Sequence, residues 1–322
     1  VSAGPVLLSL LDRSRTRSGQ SDAEALRATV RRAARAEELG FHRFWVAEHH
    51  GVPGAVGSAP TVTTAAVAAA TSRVRVGTAG VMLPNHTPFV VAEQVATLAA
   101  LHPGRLDVGV GRSLGFTAPV RAVLGATSAA GFEDRLAELL DQLHGRGAVT
   151  VRPQVPAPPV WLLATGEGLV TAERFGLPVV VGGPLLRDPG PLRRYRERTP
   201  RAHVALALDV LVADDRDAAR RELLPQAVAL ARARSRGVFG PLPTPAEAAA
   251  AVLTDRERAD VDRALAATVH GDEATVTARL TDLVRRTGAA ELLVSATPYA
   301  EEVEAGNDAR VARLVAGLRT GG

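Results

Sequence analysis

The 322-residue chain contains no cysteine, no lysine, one methionine, two tryptophans and two tyrosines. Without cysteine there is no disulfide framework, no thiolate nucleophile and no cysteine-based metal site. Without lysine every basic side chain is an arginine, and almost nothing is left to titrate between about pH 8 and 11. A net charge of only +4 is then enough for a pI near 10.6. That pI is therefore no argument for nucleic acid as a partner. The arginines are scattered, often beside acids as at Arg216-Asp217 and Arg256 to Arg258. No basic block and no aromatic stacking platform occurs. All-arginine usage with abundant alanine fits GC-rich coding. No apolar run approaches the roughly 20 residues of a membrane span, and the stretch from Val1 to Ser14 lacks the basic start and long apolar core of a secretory signal. The expectation is a cytoplasmic protein without membrane contacts.

What is present is a regular alternation. Hydrophobic residues make up 46% of the chain, and short β-type runs alternate with helical patterns. Strands are expected at Val6–Leu11, Phe41–Ala47, Arg73–Leu83, Arg105–Val110, Val160–Ala164, Leu177–Val181, His203–Val212 and Ala290–Ser295. Ser21 with Glu24 has capping-box spacing before a helix that Gly40 stops. Further helices are read from Pro60, from Pro88 to Leu101, from Phe132 to Leu143, from Gly168 to Phe175, from Asp214 to Arg234 and from Asn307 to Leu318. Residues 235–288 read as mostly helical, with a start signal at Thr244-Pro245 and Glu247. Eight strands each followed by helix imply one α/β domain over residues 1–322, a (β/α)8 TIM barrel with a helical insertion between strands 7 and 8. An open doubly wound sheet is disfavoured because no GxGxxG turn follows the first strand. No internal repeat of 20 to 50 residues is visible.

In such a barrel, chemistry belongs at the carboxyl ends of the strands. Glu48-His49-His50 follows the second strand and offers a base, a donor and an orienting acid; a solvated loop is the alternative. Zinc is not expected, because no third ligand has suitable local spacing and H-E-x-x-H is absent. Thr78-Ala79-Gly80 is small enough either for a flat ligand to approach the backbone or for tight strand packing. His86 either faces the mouth or, with Asn85, caps the next helix. Arg112 ends the fourth strand as a candidate phosphate ligand, and Ser113-Leu114-Gly115 adds backbone donors. Thr165-Gly166-Glu167-Gly168 opens a helix whose free N–H groups suit a phosphate. Together these fit a phosphorylated planar cofactor such as FMN.

Several blocks carry a family likeness. Phe44-Trp45-Val46-Ala47-Glu48-His49-His50, the run Gly77 to Pro84, Ala92-Glu93-Gln94 and Pro103-Gly104-Arg105-Leu106-Asp107 resemble successive segments of the luciferase-like flavin monooxygenases. So do Trp161-Leu162-Leu163, Phe175-Gly176-Leu177-Pro178 and His270-Gly271-Asp272. The resemblance implies the barrel, a homodimer, and reduced FMN supplied by a separate flavin reductase. It also implies reaction with O2 through a flavin C4a-hydroperoxide that oxygenates a small-molecule substrate. On that basis His49 is the expected catalytic histidine with Glu48 orienting it, and Ala79–Gly80 a cis peptide against the flavin ring. Arg112 and Thr165 fall at phosphate ligands. Gly168 falls where a second hydroxyl ligand is found, and Phe132, with Arg135 nearby, where a second arginine is found. His50, Met82 and Phe116 are assigned to the substrate pocket, with Leu114, Phe116 and Met82 excluding water. The loop from Ser113 to Pro119 lacks the acid that close relatives have after the Arg112 position. By analogy alone, an aromatic polyketide-like intermediate of secondary metabolism is the favoured substrate. The alternatives are hydride transfer with the deazaflavin F420 and a flavin-binding paralogue that has lost the reaction.

Overall fold

A computed structural model describes residues 4–125 and 128–320. Among the described residues there are nine parallel strands: β1 Leu7–Asp12, β2 Arg43–Val46, β3 Arg75–Met82, β4 Leu106–Gly111, β5 Val160–Ala164, β6 Val179–Gly182, β7 Val204–Val212, β8 Val269–Gly271 and β9 Glu291–Ser295. Pairing runs β6-β5-β4-β3-β2-β1-β9-β7, and a β6–β7 pairing closes the barrel. The expected TIM barrel is therefore the observed fold, and β9 is its eighth strand. β8 was not expected. It pairs only with the far end of β7, Val210 to Val212, beyond the residues of β7 that meet β6 and β9. The insertion between the seventh and eighth barrel strands is thus mostly helical, with this short strand and the loops 237–244 and 250–254 between its helices.

The barrel interior is layered. Near the amino ends of the strands, Arg43 bonds Asp107 at 3.0 Å and also Glu291, which in turn accepts from Ser9. Buried charge is tolerated there because each carboxylate meets a guanidinium or hydroxyl. Above it Trp45 and Trp161 meet edge to face, with centroids 5.3 Å apart. Small and aliphatic side chains (Leu11, Ala47, Ala79, Leu163 and Ala207) belong to the same interior cluster. They form an apolar floor under the mouth.

β3 and β4 approach too closely for side chains at three positions. A Cβ on Gly77 would lie 2.3 Å from the Asp107 carbonyl oxygen, and one on Gly109 would lie 2.2 Å from that of Thr78. A Cβ on Gly80 would lie 2.8 Å from the Gly109 oxygen. Strand packing therefore already accounts for the small residues of this segment.

The helices follow their local signals, with two differences. Ser21 accepts from the Glu24 amide as expected, but the Glu24 carboxylate turns to Arg27 and Arg31, so the capping box is half formed. Thr244 with Glu247 and Thr254 with Glu257 form complete boxes. The last helix is Glu301–Ala316 and starts six residues before the expected Asn307. Its first turns bury Glu304, Asn307 and Asp308. No described helix is long and apolar enough to cross a membrane.

Candidate active site

Glu48 lies just beyond β2, buried at 5% exposure. Its Oε2 accepts the Met82 amide at 2.8 Å, and its Oε1 meets Nε2 of His50 at 2.6 Å and of His86 at 2.8 Å. Burial alone would raise this carboxyl's pKa; the bonds from His50, His86 and Met82 outweigh it and hold the pKa below the ordinary value. Two expectations are corrected here. Glu48 does not orient His49; it holds His50 and His86, and Met82 contributes its backbone. His86 does not cap the next helix, whose N-cap is Thr87. A third imidazole is thus brought to Glu48 from the loop after β3. The three ligating atoms of Glu48, His50 and His86 lie within 4.8 Å of one another. Hydrogen bonding between carboxylate and imidazoles accounts for that closeness.

His49 turns the other way. Its amide donates to the Gly57 oxygen at 2.9 Å, and its ring lies parallel to Phe239. Phe116 packs against both, 6.0 Å from His49 and 4.8 Å from Phe239 between centroids. The Arg15 guanidinium sits 4.3 Å above Phe239. His49 Nδ1 is buried with no hydrogen-bond partner among the described residues. Burial first, and then the positive charges of Arg13 and Arg15, push the His49 pKa down to about 4. The ring is therefore neutral at neutral pH, with an imidazole nitrogen that is not used by the fold.

Phe239 had no signal in the sequence. It arrives on the insertion, whose backbone is pinned to the loops after β1 and β2. Gly54 donates to the Phe239 oxygen at 2.7 Å, Leu242 to Thr16 at 2.9 Å and Ser18 to Leu242 at 2.8 Å. Across the mouth, Arg13 bonds Ser295 at 2.8 Å and Asp209 at 3.3 Å, and Gln226 bonds Asp209 at 2.9 Å.

Arg112, Thr165 and Gly168 line a single cavity of about 350 Å³ at the ends of β4 and β5, with Leu162, Leu163 and Phe132. Arg112 is half exposed and only loosely paired, 3.4 Å from Glu167. Thr165 and Gly168 stand at the amino end of the helix Gly168–Phe175. A guanidinium, a hydroxyl and a helix start are a donor set that suits a phosphate. Glu133 also borders the cavity, but its carboxylate is engaged by Arg174 at 2.6 Å and Thr171 at 2.7 Å. Arg135 is not in the lining; it bonds the His86 carbonyl at 2.9 Å. Leu114 is half-buried and does not line this cavity, and Phe116 is 52% exposed at its edge of the mouth. The Ala79–Gly80 peptide is cis.

Comparison with known proteins places the chain in a family. A family model described as luciferase-like monooxygenase matches residues 6–291. A luciferase-like monooxygenase of Escherichia coli K12 is 32% identical over 311 residues, spanning 90% of this chain and 91% of the relative. The crystal structure of apo-MsnO8 superimposes with a TM-score of 0.84 at 29% identity, over 96% of this chain and 98% of its own. The oxygenating constituent of 3,6-diketocamphane monooxygenase from Pseudomonas putida, in complex with FMN, gives a TM-score of 0.74 at 17% identity, a likeness of fold, over 99% of this chain and 100% of that one.

Proposed function

Because the chain belongs to the luciferase-like monooxygenase family, we propose that its barrel mouth binds reduced FMN and oxygenates a small organic substrate with O2. The observation that carries this reading is the convergence of Arg112, Thr165 and Gly168 on one cavity at the strand ends. That cavity opens on the barrel face that also carries Glu48, His49 and His86. When bound, reduced FMN supplies the electrons with which one oxygen atom enters the substrate and the other leaves as water.

The chain's own groups then have separable tasks. Arg112 and the Thr165 hydroxyl hold the phosphate. Ala79 and the apolar floor leave room for a flat ring. His49, kept neutral by burial and by Arg13 and Arg15, is an imidazole able to take or share a substrate proton at the ring nitrogen other than the covered Nδ1. Glu48 fixes His50 and His86 and joins them to the end of β3 through the Met82 amide. Phe116 and Phe239 cover His49 and limit water there. A separate reductase as the source of reduced flavin, a homodimer and a cytoplasmic setting belong to the same proposal.

The test is a titration of the purified protein with oxidised FMN, reduced FMN and reduced F420 side by side, with oxygen uptake followed. The reading expects reduced FMN to bind and to be consumed with O2. Binding of reduced F420 with hydride transfer to an added carbonyl acceptor and no oxygen uptake would replace it with a deazaflavin oxidoreductase. Binding of reduced flavin with no consumption under any condition would leave only a flavin-binding protein.

A further inference from the structure

A cavity of about 1050 Å³ opens beside the mouth, between β7, the helix Arg216–Arg236 and the helix Glu273–Thr287. Its volume is that of a site for a sizeable small molecule. Its inner wall is apolar: Leu223, Ala227, Leu265, Val269 and Leu283 are all buried. Its charged lining is one-sided, with six arginines against two aspartates. Both aspartates are already engaged, Asp209 by Arg13 and Gln226 and Asp282 by Arg285 and Arg286. Arg187 and Arg279 line the cavity as exposed residues whose side chains make no ion pair or hydrogen bond among the described residues. Arg13 belongs both to this lining and to the mouth, through its bond to Ser295 at the end of β9.

We propose that this cavity takes an amphiphilic substrate, an apolar body ending in an oxyanion that Arg187 and Arg279 receive. The proposal rests on the reading that the mouth is the reaction site, since Arg13 and Ala207 border both the cavity and the barrel interior. The apolar wall removes the body of the ligand from water. Two guanidiniums without internal partners form charge-assisted bonds with the oxyanion at no cost in broken ion pairs. A purely inorganic anion would leave the wall unused, and a neutral apolar ligand would leave the arginines unused. The signal was invisible in the sequence because the two arginines lie 92 positions apart in separate helices.

The experiment measures binding of decanoate, decanol and decyltrimethylammonium to the full chain by calorimetry, without flavin, at low and moderate salt. Decanoate is expected to bind about tenfold or more tighter than decanol and to weaken with salt, while the cation shows no binding. The double variant Arg187→Glu with Arg279→Glu lowers decanoate affinity by about tenfold or more and leaves decanol unchanged. Leu230→Glu, on the apolar wall, weakens both. Equal affinity for decanoate and decanol, or decanoate binding untouched in the double-arginine variant or in Leu230→Glu, overturns the proposal. Since no flavin is added, such a failure is separate from the outcome of the flavin titration.

Discussion

The rings of His49 and Phe239 lie 7° from parallel with centroids 6.1 Å apart, although 190 positions separate them in the sequence. The insertion between the seventh and eighth barrel strands thus covers the imidazole. It also explains why the imidazole is neutral: burial is the leading cause of its lowered pKa. Phe239→Ala removes that cover. The His49 pKa should rise from about 4 toward the ordinary value of about 6.5, as read by NMR titration of its ring protons. Reduced flavin should still bind, with a larger share of the oxygen released as hydrogen peroxide. An unmoved pKa would mean that the arginines, not the ring, keep His49 neutral.

The same shift sets a pH dependence of stability. The unfolded chain takes up a proton at its imidazole near pH 6.5, the folded chain only near pH 4. The unfolded state therefore binds more protons between these values. The contribution of His49 is complete above about pH 6.5 and is lost as pH falls toward 4. Wild type should lose about 2 kcal/mol more than His49→Gln between pH 7 and 4.5, measured by denaturant unfolding. Equal losses in both proteins would remove His49 as the source.

Arg112 is half exposed and its one ion-pair contact is loose, so its removal should cost the fold little. Arg112→Ala is expected to weaken FMN by roughly 10- to 100-fold, the range of a charge-assisted bond, and to leave riboflavin, which lacks the phosphate, within about twofold. Fluorescence titration with both ligands decides. Equal losses for the two would take Arg112 out of the phosphate site.

Parts of this arrangement could be read from the chain and parts could not. The barrel strands were legible because short apolar runs recur between helix caps, and Arg112, Thr165 and Gly168 were legible because they sit where strands end. The pairing of His86 with Glu48 was not, because 38 positions separate them and only barrel closure sets the distance. The start of the last helix was hidden because Glu304, Asn307 and Asp308 face inward, the reverse of an amphipathic pattern. Asn307 is spent on β7, accepting the Val212 amide and donating to the Val210 carbonyl. β8, at three residues, is too short to show an alternation.

The inward acids of that helix meet Arg32, which is 2% exposed and lies 2.8 Å from Asp308, 3.1 Å from Glu304 and 3.1 Å from Asp12. Arg32→Met would leave the buried Asp12 and Asp308 without their guanidinium, and Glu304 with Arg17, 3.3 Å away. The expected loss is about 3–5 kcal/mol, or failure to fold. Arg27→Ala removes an exposed pair with Glu24 on the same helix and should cost less than about 1 kcal/mol. Denaturant midpoints compare the two. Similar small losses would show that the buried acids are satisfied without Arg32.

Gly54 offers a way to move the insertion without touching His49 or Phe239. A Cβ at Gly54 would stand 2.2 Å from the Gly240 oxygen and 2.9 Å from that of Phe239, and both obstacles are backbone. No rotamer change relieves such a contact, so the loop carrying Phe239 must shift. Gly240 faces open space, with nothing within 4 Å of a Cβ built there. Gly54→Ala should therefore reproduce the Phe239→Ala phenotype, a raised His49 pKa with more hydrogen peroxide, while Gly240→Ala behaves as wild type. Flavin affinity should hold in both, because the Arg112 cavity lies on β4 and β5 and shares no residue with the insertion. Wild-type peroxide release in Gly54→Ala, at a flavin affinity that shows the barrel intact, would mean that the cover over His49 is not what limits water at the mouth.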